Sequence, residues 1–228
     1  YKVNNNKHEY AVFYEDGNFA GIISRDEKRY FYEFAVHPEQ NDGEPTVYTW
    51  ENIVNGKFNA EWLKKGTALT IGSFDGMHKG HQKLLDSVLE QKNLVPGIVT
   101  FTSSIKGASG EVSTLRQKME ICTIKEIKFV VAIDFSSDFA KINGKDFILK
   151  LVYLCGMKYL AEGKDFSCGY QGAYKPADIA VLSKEAAFEF AVLEDEVTDS
   201  KRISSSLIRD AVKKADFIAA EKMLGRPF

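Results

Sequence analysis

From residue 68 to residue 192, short apolar runs alternate with segments of helical periodicity, and that alternation leaves few folds open to the chain. Residues 68–71, 97–101, 129–133, 159–161 and 189–192 have the length and apolar character of buried strands. Between them, residues 82–91, 115–126, 145–154 and 177–185 carry apolar side chains at helical spacing. Strand, crossover helix and strand, repeated, predict an α/β fold with a mostly parallel sheet covered on both faces. In such sheets a ligand binds beyond the carboxyl ends of the strands, where strand order reverses.

The segments on either side read differently. Residues 9–15, 19–24 and 29–37 are aromatic and β-branched runs separated by Asp16-Gly17 and Asp26-Glu27-Lys28, which predicts a small antiparallel meander. Asn41-Asp42-Gly43-Glu44-Pro45 punctuates the chain as a linker, followed by a strand at 47–50 and one amphipathic helix near 51–64. The expected division is a β-rich extension at 1–46 and a larger domain at 47–228. At the far end, Ser204-Ser205-Ser206 caps a helix running to about 215, Asp216 caps the next, and Gly225 with Pro227 stops it.

A chain of 228 residues that is 44% hydrophobic can bury one full core. Its formal net charge of −2, with charges scattered, gives no footprint for a nucleic-acid backbone, so no nucleic-acid partner is expected. No apolar run approaches the roughly 18 residues that span a bilayer, and no membrane association is expected. Cys122, Cys155 and Cys168 show no Cys-x-x-Cys spacing, which predicts a reducing, cytoplasmic setting and no metal held by protein side chains.

Chemistry concentrates in Gly72-Ser73-Phe74-Asp75-Gly76-Met77-His78-Lys79-Gly80-His81, directly after the first strand of the alternating region. Glycines at 72, 76 and 80 let the backbone turn and approach a ligand, and a helix follows. Two of the four histidines of the chain fall in this one turn. Free amides and the positive dipole end at a helix start favour anions, and imidazole N–H donors can follow negative charge onto a leaving pyrophosphate. The turn therefore reads as a triphosphate site. A second anion nest is Arg202-Ile203-Ser204-Ser205-Ser206-Leu207-Ile208-Arg209, where serine hydroxyls meet a helix start and Arg209 lies one turn inside.

These segments resemble the His-x-Gly-His and Ile-Ser-Ser-Thr-x-Ile-Arg elements of the nucleotidyltransferase superfamily. Thr114-Leu115-Arg116-Gln117-Lys118, Gly163-Lys164-Asp165-Phe166-Ser167-Cys168-Gly169 and the ending Leu224-Gly225-Arg226-Pro227-Phe228 are similar to elements of the FMN adenylyltransferase module of bacterial bifunctional riboflavin kinase/FAD synthetases. The similarity runs collinearly over about residues 47–228. It implies a Rossmann-like nucleotidyltransferase fold and transfer of AMP from ATP to FMN, giving FAD and pyrophosphate, by in-line attack on the α-phosphorus. By that resemblance His78, His81 and Arg209 are catalytic. Gly72, Ser73, Phe74, Asp75, Gly80, Ser205 and Ser206 bind ATP, and Asp165 and Phe166 lie near the flavin. Mg²⁺ is expected to accompany the triphosphate, whose hard oxygens suit it.

Three features depart from the family. Ser73 stands where Asn is usual, Thr102-Ser103-Ser104-Ile105-Lys106 replaces Asp/Glu-Pro-His-Pro, and no riboflavin kinase element follows Phe228. The adenylyl step alone is the expected activity. The rebuilt loop makes a catalytically degenerate ATP- or flavin-binding relative, serving a partner, the alternative. The meander at 1–46 is expected to act as a lid, a docking element or, through its strand edges, a homo-oligomer contact.

Overall fold

The structure, a computed structural model, describes residues 43–102, 112–113, 115–135, 139–199 and 201–226, together with the strands of the N-terminal segment. The chain divides into two compact units, Tyr1–Asp42 and Gly43–Phe228. In the first, β1 (Lys2–Asn5), β2 (His8–Glu15) and β3 (Asn18–Ser24) form an antiparallel sheet in sequence order, with a register shift at Phe13/Tyr14. The strand at Lys2–Asn5 was not legible in the sequence, and the run expected at 29–37 lies outside the described residues.

The second unit is built on six parallel strands in the order β4-β7-β6-β5-β8-β9. These are Thr46–Thr49, Phe129–Ile133, Val95–Phe101, Thr67–Ile71, Met157–Gly163 and Glu189–Leu193. β5 and β7 are buried at every position, as continuous apolar runs covered on both faces should be. On one face Val88 of α3 (Lys79–Leu89) packs on Ala68, Tyr159 and Ala161. On the other, α5 (Gly144–Cys155) packs Phe147, Ile148 and Leu151 against Leu69, Ile71 and Leu160. Each such fully buried aliphatic side chain contributes about 1.5–3 kcal/mol.

The helix expected near 51–64 is two helices, α1 (Trp50–Val54) and α2 (Ala60–Lys65). The chain leaves α1 through Asn55 and Gly56, whose φ is 69°, and Asn59 then recaps by accepting the amides of Glu61 and Trp62 at 3.0 Å each. Trp50, expected at the end of a strand, opens α1 because Thr49 and Asn52 form a reciprocal capping box.

Strand order sets the position of the site. From β5 the chain winds outward through α3, β6, α4 (Leu115–Ile124) and β7, and returns through α5 to β8 on the opposite side of β5. The reversal falls between β5 and β8, whose carboxyl ends lead into Gly72 and past Gly163. The remaining elements are α6 (Pro176–Glu185), a short hairpin of β10 (Val197–Thr198) and β11 (Lys201–Arg202), and the helix pair α7 (Ser205–Lys213) and α8 (Phe217–Leu224). No helix among the described residues is long and apolar enough to cross a membrane.

Candidate functional site

Leaving β5, the backbone turns through Phe74 and Met77, with φ of 49° and 42°, and Gly76, with φ of 79°. Left-handed geometry costs each non-glycine residue about 1–2 kcal/mol, so the surroundings must hold the turn. They do so from four places. Asp75 Oδ1 accepts the amides of Val112 (2.7 Å) and Ser113 (3.1 Å), and Ser113 Oγ accepts the Gly76 amide (2.8 Å). Arg226 donates to the carbonyls of Gly76 (2.8 Å) and Met77 (3.2 Å), and Gln82 Nε2 donates to Met77 (2.9 Å) and Leu224 (2.8 Å). Ser205 Oγ, 130 residues away in sequence, donates to the Asp75 carbonyl at 2.8 Å.

α3 starts at Lys79, earlier than the expected 82, because His78 is its N-cap. His78 Nδ1 accepts the His81 amide at 3.3 Å, which in the neutral ring leaves the proton on Nε2 as a free donor. The two imidazoles stack nearly parallel, with centroids 3.6 Å apart and planes 14° apart. Gly80 permits this: a Cβ there would lie 3.2 Å from the His78 ring. Phe74, fully buried, supports the His81 ring edge-on at 5.3 Å. The expectation that Phe74 borders a ligand thus meets a side chain used as a wall behind an imidazole.

Both rings are held neutral. Burial lowers the pKa of His78 to about 4, and the charges of Arg202 and Arg226 push the same way. Burial, then the neighbouring His78, Lys118 and Arg202, hold His81 well below the ordinary value. A histidine whose folded pKa is depressed stabilises the fold above its unfolded value near 6.5, and that contribution is lost as pH falls through the folded value. Lowering pH from 6.5 to about 4 should remove about 3 kcal/mol through His78. Burial raises Glu162 and acts in the opposite sense, so the term is read as a difference. Urea unfolding at pH 7 and pH 4 should show the wild type losing about 3 kcal/mol more than His78→Gln; equal losses would refute the buried neutral ring.

The second cluster meets the first. Ser204 caps α7 by accepting the Leu207 amide at 3.2 Å, and Arg209 Nε lies 3.3 Å from the Ser205 carbonyl and 3.8 Å from Asp75 Oδ2. An Arg209 amino group reaches Ser206 Oγ at 3.5 Å. His78, His81, Gly80, Asp75, Ser205, Ser206 and Arg209 thereby gather around one turn, with Gly72 and Ser73 leading into it. Asp75 uses its carboxylate to hold the 112–113 segment and to face Arg209.

Asp165 and Phe166 stand on the loop after β8. Phe166 packs against the main core, and Asp165 pairs with Arg202 at 2.6 Å, which also pairs with Asp195 at 3.0 Å. The charge of Arg202 also opposes protonation of both histidines. Gly169 closes the loop with φ of 76°, and a Cβ there would lie 2.4 Å from the Gly144 amide nitrogen. Thr102, buried, bonds the Ile133 carbonyl through its amide at 3.0 Å; residues 103–106 of the altered loop lie outside the described residues.

Sequence reasoning missed Glu162 as well as the roles of Arg202 and Arg226. Glu162 is 1% exposed at the end of β8 and accepts the Ile71 amide at 2.6 Å, bridging β5 and β8 where their pairing has ended. Burial holds its carboxyl well above the ordinary range, against the Ile71 hydrogen bond and with help from Asp165. A lone carboxylate in an apolar strand was the available signal.

Known proteins with the same pattern extend this picture. The FAD synthetase family model matches residues 60–207. The bifunctional riboflavin kinase/FMN adenylyltransferase of Haemophilus influenzae is 32% identical over 189 residues, covering 77% of this chain and 60% of that protein. Its counterpart in Escherichia coli strain K12 is 30% identical over 178 residues, covering 72% and 56%. The chain thus spans about 60% or less of the length of these curated relatives. A solved structure described as a macrolide-efflux protein from Streptococcus pneumoniae shares the fold, with a TM-score of 0.69 and 22% identity over 80% of this chain and 62% of that one. With a parallel α/β sheet, a glycine-rich histidine turn at its switch point and a family match across most of that sheet, this chain belongs to the FAD synthetase family.

Proposed function

We propose that this chain transfers AMP from ATP to FMN, giving FAD and pyrophosphate. The flavin phosphate attacks the α-phosphorus in line, and the bond to the bridging oxygen of pyrophosphate breaks. The acceptor is already an anion at neutral pH, so no protein nucleophile or base is required. Catalysis then consists of holding two anions together and neutralising charge that grows on the leaving oxygen. The Nε2–H of His78 is a donor for that charge, the His81 ring stacks on it, and Arg209 with Ser206 closes on the same polyphosphate from α7. Asp165 and Phe166 face the flavin from the loop after β8.

The observation that carries this reading is the 2.8 Å hydrogen bond from Ser205 to the Asp75 carbonyl, which joins the start of α7 to the turn bearing both histidines. Mg²⁺ enters with the triphosphate. Asp75 Oδ1 is engaged by two amides, and the hard oxygens of the triphosphate would supply ligands that suit the ion. The test is flavin fluorescence on mixing the protein with FMN, ATP and Mg²⁺. FAD formation should quench the signal only when ATP is present, and unchanged fluorescence with both substrates would overturn the assignment in favour of a silent binder.

A further inference from the structure

Lys118 lies in α4, one of the elements packed on the Asp75–Met77 turn, five residues after the Ser113 amide that grips Asp75. The residue is 2% exposed. Among the described residues it makes no hydrogen bond and no ion pair, which sets it apart from Lys83, Lys125, Lys145 and Lys222, each exposed or half-exposed and each paired with a carboxylate. Its charge nevertheless reaches the histidine turn, where it is one of the groups opposing protonation of His81.

Taking an ammonium out of water without a counter-anion is unfavourable. The charged groups of the histidine turn are engaged elsewhere. The imidazoles are neutral, Asp75 spends one oxygen on two amides and turns the other toward Arg209, and the carboxylates of Asp165 and Asp195 are taken by Arg202. Lys118 is thus a buried cation with no anion of its own, on a helix packed against the histidine turn. A polyphosphate supplies one, with oxygens that accept from an ammonium as readily as from an imidazole.

We propose that Lys118 is a phosphate-holding residue, its ammonium donating to an oxygen of the ATP polyphosphate beside His81. This rests on the reading that the polyphosphate lies at the histidine pair. The role separates from a structural one by its sign on stability: a lysine that holds the fold together is missed when removed, whereas a lysine waiting for an anion is a cost to the empty protein.

The experiment uses the full chain with Lys118→Met and, as a polar second variant, Lys118→Gln. Thermal melts without ligand, titration calorimetry with Mg²⁺–pyrophosphate and Mg²⁺–ATP, and FMN binding by fluorescence are measured for each. The expected result is an unliganded melting temperature equal to or above that of the wild type. With it come a loss of pyrophosphate and ATP affinity on the order of 10–100-fold and unchanged FMN affinity. Wild-type pyrophosphate affinity in both variants would overturn the proposal, as would a loss of binding that merely tracks a lowered melting temperature in both. If the wild type itself binds neither pyrophosphate nor ATP, the polyphosphate reading falls instead, and the two failures are told apart by which protein shows them.

Discussion

His78→Ala and His81→Ala should each lower the rate of FAD formation on the order of 10²–10³-fold, equivalent to about 3–4 kcal/mol of transition-state stabilisation. The loss should appear in kcat and in kcat/KM alike, because a neutral imidazole donor interacts weakly with ground-state phosphate and strongly with charge that accumulates as pyrophosphate leaves. The fold should survive. His78→Ala removes one N-cap bond, worth about 1 kcal/mol, and at neutral pH the lost ring carries no charge that other groups have been arranged to pair. The stacked rings at 3.6 Å act on the same developing charge, so the double variant should lose less than the product of the two single losses. Steady-state kinetics by flavin fluorescence checks this, and full activity in both single variants would remove the histidines from the chemistry.

Asp75→Ala should destabilise the protein by about 2–6 kcal/mol, since the amides of Val112 and Ser113 would both lose their acceptor, at about 1–3 kcal/mol each. The ion pair between Asp75 and Arg209 would go as well. Asp75→Asn separates the two effects. Its carbonyl oxygen can still accept both amides, so most of the stability should return, while the lost ion pair with Arg209 should leave the KM for ATP altered. Urea denaturation of both variants, with KM measured alongside, tests the argument. An Ala variant as stable as the wild type would mean that the 112–113 segment holds itself in place.

How far these features were legible beforehand depended on the range over which they are determined. β7 was read residue for residue at Phe129–Ile133 because a continuous apolar run between charged neighbours is a local signal. The break between α1 and α2 was also local, carried by Asn55-Gly56 and Asn59, and the apolar periodicity running through it concealed it. The early start of α3 was hidden because histidine is not among the preferred N-caps and Gly80 is a poor helix former. β1, β10 and β11 span two to four residues, too short for a periodicity to register. The histidine turn and the serine-capped helix were each visible as motifs. Their junction is a contact between Asp75 and Ser205, set by strand order and helix packing, and nothing local announces it. Glu162 was passed over for the same reason, and Lys118 was visible only as the last residue of a motif. A single charge in an apolar pattern gains meaning only once burial shows that water cannot reach it.

The most direct test is a crystal structure of the protein grown with Mg²⁺ and a non-hydrolysable ATP analogue, reading the distances from the polyphosphate to the two clusters. One chain of phosphates should lie within hydrogen-bonding reach of the imidazole pair at 78 and 81 and of the Arg209 guanidinium at the start of α7. A polyphosphate that touches only one of those clusters, or lies away from the carboxyl ends of β5 and β8, would contradict the account.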